Sequence, residues 1–170
     1  MADNIIDLPT LAPRLRRFDR LLGLDLGSKT IGVAVSDVER RLASPVTTIR
    51  RTRFANDAAA LMTEVRRQEA AALVIGLPLN MDGTEGPRVQ ATRAFIRSMS
   101  GLTALPFVLW DERLSTAAVT RSLIEQDASR AKRAAVVDRM AAAYILQGAL
   151  DRLNRMAQDL AALDQSPARS

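Results

Sequence analysis

The chain contains neither Cys nor His, so any chemistry it performs must rest on carboxylates, Lys, Ser/Thr, Tyr or a bound cation. Without Cys there are no disulfides, thiolate nucleophiles or cysteine zinc sites. Without His there is no Ser-His-Asp triad, imidazole base or histidine-ligated metal. Attention therefore falls on the acids. Asp25 interrupts a leucine-rich run in which Leu22, Leu24 and Leu26 alternate onto one face and Gly23, Asp25 and Gly27 onto the other. A carboxylate is costly to bury there unless something satisfies it, and the flanking glycines leave room for an ion or a phosphate. The competing reading is a hydrogen-bonded turn aspartate ahead of Gly-Ser. Asp111 and Glu112 close the apolar run Phe107 to Trp110, at the carboxyl end of a strand, where ligands bind in open α/β sheets. Adjacent strand positions point oppositely, so only one of the two shares a site with Asp25; the plain alternative is a pair of solvated acids. Asp138 lies at the margin of a helical stripe made by Val137, Met140, Ala141, Tyr144 and Ile145. It faces a sheet on this reading, or else is an acid favoured by the helix dipole.

Taken together, three carboxylates from two strands and one helix are expected to converge at one end of a sheet. Clustered like charges repel unless a cation neutralises them, and hard divalent ions with oxygen ligands, Mg²⁺ or Mn²⁺, are the fitting partners. Two such ions about 4 Å apart would activate a water and stabilise the leaving oxygen of a phosphodiester without histidine. Asp37, at the far end of a hairpin from Asp25, is expected to be structural. Asp82 and Glu85 sit in a Gly-rich loop, where they either contact substrate or, the favoured reading, shape turns.

The elements that must position these acids follow from pattern. Arg20 to Leu26 and Thr30 to Ser36 read as strands joined by a tight turn at Gly27-Ser28-Lys29. A third strand spans about Ala43 to Ile49, with Pro45 placing it at an edge. Asn56 is the expected N-cap of a helix to about Gln68, and Ala72 to Leu77 is a strand buried on both faces. Pro78 to Gly86 is a loop, and Pro87 to Ser100 a helix with Pro at its start and Gly101 after its end. Phe107 to Trp110 is the last strand, Ser115 caps a helix to about Gln126, and a basic segment Ser129 to Arg133 leads into a final helix from about Ala134. The alternation implies an α/β fold with a mixed sheet.

The 170 residues suit one domain. We expect a loose N-terminal extension over 1–18, where Pro9 and Pro13 interrupt any periodicity, a domain over 19–158 and a tail over 159–170. Hydrophobic residues make up 48% and charged residues 25%, as in ordinary soluble proteins. The longest apolar run, Ala70 to Leu79, is too short to span a bilayer. The first residues lack the pattern of a secretory signal, which makes the cytoplasm the expected location. A net charge of +5, carried by 22 Arg and 2 Lys, suits a polyanionic partner.

Four segments, Leu24 to Asp37 (LDLGSKTIGVAVSD), Gly76 to Arg88 (GLPLNMDGTEGPR), Asp111 to Thr116 (DERLST) and Asp138 to Leu150 (DRMAAAYILQGAL), resemble in order and spacing the blocks of the YqgF family. That family is described both as pre-16S rRNA nucleases and as Holliday-junction resolvases. The resemblance covers about residues 20 to 152. It implies a ribonuclease H-like fold, with a five-stranded mixed sheet in the order 3-2-1-4-5 and helices on both faces. It implies a divalent-metal nuclease using Mg²⁺ or Mn²⁺, two ions in all, whose catalytic and metal-ligating acids are Asp25, Glu112 and Asp138. Lys29 and Arg113 are implied phosphate neighbours, Arg88 a substrate-binding residue, Asn80 a loop contact to nucleic acid, and Arg130, Lys132 and Arg133 a backbone-binding stretch. Thr30 stands where the family commonly carries Arg.

The implied substrate is structured RNA, the 5′ end of the small-subunit rRNA precursor, free or in ribosomal precursor particles. One alternative is branched DNA, for which a homodimer rather than a monomer would suit a four-way junction. Another is a non-catalytic RNA-binding assembly factor. The hairpin also echoes the phosphate-binding turn of sugar kinases, which need two such domains.

Overall fold

The computed structural model describes residues 4–114 and 130–166, the side chains of 130–135 excepted. Strands β1 (Arg20–Leu26) and β2 (Thr30–Ser36) form the expected hairpin, followed by β3 (Ala43–Arg50). After these come β4 (Ala70–Leu77) and β5 (Phe107–Asp111), and the five strands lie in the order β3-β2-β1-β4-β5. β1 is antiparallel to β2 and parallel to β4, and β4 is parallel to β5. The sheet is therefore mixed, with β3 and its Pro45 at an edge.

Alternation along the strands divides the core. Leu22, Leu24, Ile31, Val33, Leu73 and Ile75 pack on one face against α1 (Phe54–Gln68) and α2 (Pro87–Ser100), which supply residues such as Leu61, Val65, Phe95 and Ile96. Leu21, Ala34, Val74 and Val108 pack on the other against Ala142, Ile145, Leu146 and Leu150 of a long helix, α3 (Arg130–Asp164). Gly23 lets that helix approach, since a Cβ there would stand 2.6 Å from the Leu146 Cβ and 2.8 Å from the Ala142 carbonyl. The space beside Gly23 is thus taken by helix packing and not left for a ligand.

Several boundaries depart from expectation. The first long helix starts at Phe54 with Arg53 at its cap position, so Asn56 is not the cap. Instead the buried Asp57 accepts from the Thr52 backbone N–H at 3.0 Å. β4 starts at Ala70, two residues before the expected Ala72, because Arg20 pairs with Ala70 before a register shift. The final helix already includes Arg130 and continues to Asp164, which corrects the tail expected from 159; nothing from Leu160 to Asp164 breaks a helix. The expected helix Ser115 to Gln126 lies outside the described residues. No described helix is long and apolar enough to cross a membrane.

The loose N-terminal extension is also corrected. Ile5 bridges Phe107 in parallel, with Ile6 N–H donating to the Phe107 carbonyl at 2.9 Å and Phe107 N–H to the Asn4 carbonyl at 2.8 Å. This covers part of the outer edge of β5. Residues Leu8–Leu11 then form one helical turn, with Asp7 accepting from Thr10 N–H at 2.8 Å and Pro9 in the first turn, where it is tolerated. Leu8 and Leu11 are buried in the α3 core, Leu11 at 1% exposure.

Leu11→Ala should therefore lower unfolding stability by about 2–4 kcal/mol in urea titration; a change near zero would mean this segment is not part of the core. The turn between β2 and β3 is closed by Asp37, whose Oδ1 accepts from Arg41 N–H at 2.7 Å and Leu42 N–H at 3.0 Å. These bonds, that from Leu42 foremost, hold its carboxyl below the ordinary 3.8. Such a group adds stability above its unfolded pKa, and loses it as pH falls through the lower native one. Asp37→Asn should be less stable than the parent near neutral pH. In acid melts the gap should close below about 3.8, and a gap independent of pH would contradict the assignment.

Candidate active site

Asp25 occupies the sixth position of β1 at 2% exposure, facing α3. Its partner across β2 is Gly32. On β4, one rung beyond the Leu24–Ile75 pair, stands Gly76. The acid therefore sits in the middle of a row of three, with a glycine on each side. Each glycine makes room for one of the other two acids.

On the β2 side, a Cβ at Gly32 would collide with the main-chain carbonyl of Asp138 and lie 2.8 Å from the Arg139 nitrogen. Only a glycine lets α3 come down onto the sheet at that turn. The Asp138 side chain is half-buried, and its carboxylate accepts a hydrogen bond from the Thr30 hydroxyl. On the β4 side, a Cβ at Gly76 would lie 2.6 Å from Glu112 Oε1 and 2.6 Å from Ile145 Cδ1. Glu112, at 7% exposure, opens the 3-10 turn Glu112–Leu114 that follows β5. Neighbouring strands run about 4.8 Å apart, so a carboxylate filling the Gly76 gap reaches toward Asp25.

Asp25 and Asp138 line a cleft of about 400 Å³ at the end of the hairpin, together with Lys29, Thr30, Arg51 and Arg88. Glu112 lies beside this cleft without lining it. Among the described residues no three acids stand as a ready-made metal-ligating group. The donor set nevertheless suits a hard divalent ion: two buried carboxylates and a third at the rim, all oxygen ligands, beside gaps that a Cβ would fill.

Other expected site residues divide. Lys29 and Arg88 line the cleft. Asn80 does not; its side chain donates to the Thr84 hydroxyl at 2.9 Å and shapes the loop after β4. Arg113 is turned onto Asp111, with Nη2 donating to Oδ2 at 2.7 Å and Nε to Oδ1 at 3.0 Å, and onto the Met81 carbonyl at 3.3 Å. Hydrogen bonding from Arg113 holds the Asp111 carboxyl below its ordinary range and raises the guanidinium in turn. Asp111 is thus the member of the pair turned away from Asp25, as strand alternation requires. Asp82 accepts from Thr84 N–H at 3.0 Å, and Glu85 pairs with Arg93 at 2.5 Å, both shaping the loop. Arg130, Lys132 and Arg133 fall in the first turn of α3, their side chains outside the described residues. Sequence reasoning passed over Gly32, Gly76 and Arg51. The signals available were a glycine at the β2 position paired with Asp25 and one in the middle of the apolar β4 run.

The two glycines differ in what surrounds them, and this can be measured. A methyl at Gly32 meets main chain, which cannot swing aside, whereas a methyl at Gly76 meets the ends of two side chains. Gly32→Ala should lower stability by roughly 1–3 kcal/mol, the cost of overpacking. Gly76→Ala should be the milder of the pair in the same urea titration. The reverse order would contradict the packing described.

Residues 19–152 match a family model described as "RuvX: Holliday junction resolvase". A "Putative pre-16S rRNA nuclease" of Methylocella silvestris is 63% identical over 159 residues, covering 94% of this chain and 99% of that one. A protein of the same name from Beijerinckia indica is 66% identical over 153 residues, covering 90% and 93%. Among solved structures, the yeast mitochondrial Holliday junction resolvase Ydc2 aligns with a TM-score of 0.51 at 14% identity, covering 93% of this chain and 89% of that one. That likeness is one of fold, and the fold is ribonuclease H-like, with the strand order expected from the sequence. With the family model spanning the whole sheet and α3 as far as Arg152, the chain belongs to the RuvX family.

Proposed function

We propose that the chain is a divalent-metal-dependent endonuclease that hydrolyses phosphodiester bonds in structured RNA, acting in 5′-end maturation of the small-subunit rRNA precursor. The observation that carries this reading is the buried Asp25 between two glycine gaps, with Asp138 at the rim of its cleft and Glu112 filling one of the gaps. The name shared by relatives more than 60% identical over nearly their full length supports the substrate class.

Asp25, Glu112 and Asp138 would hold Mg²⁺ or Mn²⁺. Bound there, the ions would supply Lewis acidity for activating a water and stabilising the leaving oxygen of the phosphodiester, the chemistry of two-metal nucleases. The chain's own part is positional. Burial of Asp25 and Glu112 fixes two ligands on one face of the sheet, and the Thr30 hydroxyl orients the Asp138 carboxylate. Lys29 on the hairpin turn and Arg88 at the start of α2 offer positive charge to the substrate backbone across the cleft. The basic residues Arg130, Lys132 and Arg133 would extend that contact. Asn80 and Arg113 would act by shaping the adjoining loop. The products would be a 5′-phosphate and a 3′-hydroxyl, and the site of action the cytoplasm.

A second reading, cleavage of four-way DNA junctions, is favoured by the description of the family model. One experiment separates the readings. The purified protein is incubated with Mg²⁺ or Mn²⁺ and either a 5′-extended small-subunit rRNA fragment or a synthetic four-way junction. We expect cutting of the RNA, lost by at least about a hundredfold in Asp25→Asn and in Glu112→Gln. Asp37→Asn should keep turnover close to the parent's. Preferential cutting of the junction would favour the second reading. RNA binding without cleavage under either metal would leave a non-catalytic assembly factor.

A further inference from the structure

The cleft is lined by charged side chains of both signs. Asp25 comes from β1 and Asp138 from α3, while Lys29, Arg51 and Arg88 come from the hairpin turn, the residue after β3 and the start of α2. Of these three cations, Arg51 is fixed in place by a set of contacts. Its Nη1 donates to the Gly27 carbonyl at 2.7 Å, and its backbone N–H donates to the Lys29 carbonyl at 2.8 Å. Its Nε lies 3.6 Å from Asp57 Oδ2, and its guanidinium stands 5.9 Å from the centroid of the Phe95 ring. The Arg51 side chain nevertheless keeps 29% exposure, and the residue lines the cleft.

This arrangement exceeds what tying down a turn requires. Asp57 is a buried acid, 3% exposed, in the first turn of α1. Its Oδ1 is committed to the Thr52 N–H, so only its other oxygen faces the guanidinium. Phe95 in turn meets Phe54 edge-on at 5.9 Å, which fixes the ring below the arginine. An arginine normally gives up considerable rotamer freedom when it grips a ligand. Here much of that ordering is done by folding. A planar fork held at Nε and at one Nη, with the rest of its edge toward a cleft, suits bidentate contact with a phosphate.

Resting on the nuclease reading above, we propose that Arg51 is a substrate-binding residue. It holds one backbone phosphate of the nucleic acid in the cleft that Asp25 and Asp138 also line, and Asp57 is its positioning residue. The strand then crosses the end of β1, its reacting phosphodiester toward the acids and a neighbouring phosphate on Arg51. Thr30 is engaged with Asp138, so the phosphate contact on this part of the hairpin falls to Arg51 and Lys29.

The test measures the salt dependence of binding, which counts phosphate contacts independently of cleavage. Fluorescence anisotropy of a labelled 5′-extended small-subunit rRNA fragment is followed in EDTA between 50 and 200 mM KCl, concentrations at about the range where such slopes are read. Arg51→Gln should flatten the slope of log affinity against log salt by about 0.7–0.9, the loss of one phosphate contact. Arg51→Lys should keep the slope but raise KM for cleavage, because a point charge replaces the fork. Asp57→Asn should raise KM with little change in kcat. A slope in Arg51→Gln equal to the parent's would overturn the assignment. Should that variant not fold, the Arg51 Nε–H resonance of the parent, assigned by its disappearance in Arg51→Lys, must shift on adding the unlabelled RNA. An unmoved resonance would overturn it equally. A parent that neither binds nor cuts the RNA would instead remove the nuclease reading itself.

Discussion

A carboxylate in the interior of a sheet is the constraint on which the site depends. Asp25 is 2% exposed in the central strand, where an isolated charge would cost several kcal/mol to bury. The strands on either side respond by giving up side chains. Gly32 and Gly76 each weaken the strand that carries them, since glycine has nothing to pack and loses more freedom on folding. In exchange, the main chain of α3 at Asp138 and the side chain of Glu112 enter the gaps. Parts of the chain far apart in sequence meet at this one hollowed rung of the sheet.

That hollow also explains the division of labour in the cleft. The acids lining the cleft come from β1 and α3, and the cations from the hairpin turn, the residue after β3 and the start of α2. On the nuclease reading proposed above, charges of both signs in one cleft would serve a polyanion that brings one phosphate to the acids while its neighbours are held by the cations. The turn that carries Lys29 is tied to Arg51 by a main-chain bond of 2.8 Å, so these two cations are positioned as one unit.

Much of this was legible from residue order. The alternation of Leu22, Leu24 and Leu26 against Gly23 and Asp25 set both faces of β1, and Pro87 and Gly101 marked the ends of α2. What local pattern cannot encode is which strand lies beside which residue. Gly32 and Gly76 gain their meaning only from register, across a hairpin and across a parallel pair 51 residues apart in the chain. The N-terminal segment was misjudged for a related reason. Pro9 reads as a breaker, yet it fits the first turn of a helix, and the apolar spacing of Leu8 and Leu11 is too short to register as periodic. Arg51 escaped notice because 22 arginines offer no contrast in composition. Its distinction is the buried acid and the ring that hold it. Arg113 illustrates the opposite error, a cation near the acids in sequence but turned onto Asp111.

The central claim is that Asp25, Glu112 and Asp138 act as one ligand set for a hard divalent cation. Electron paramagnetic resonance of Mn²⁺ titrated into the purified chain, without nucleic acid, tests it most directly. The account predicts that the parent removes free Mn²⁺ from the spectrum, and that Asp25→Asn, Glu112→Gln and Asp138→Asn each weaken this while melting as cooperatively as the parent. Mn²⁺ uptake unaltered by all three substitutions would contradict it.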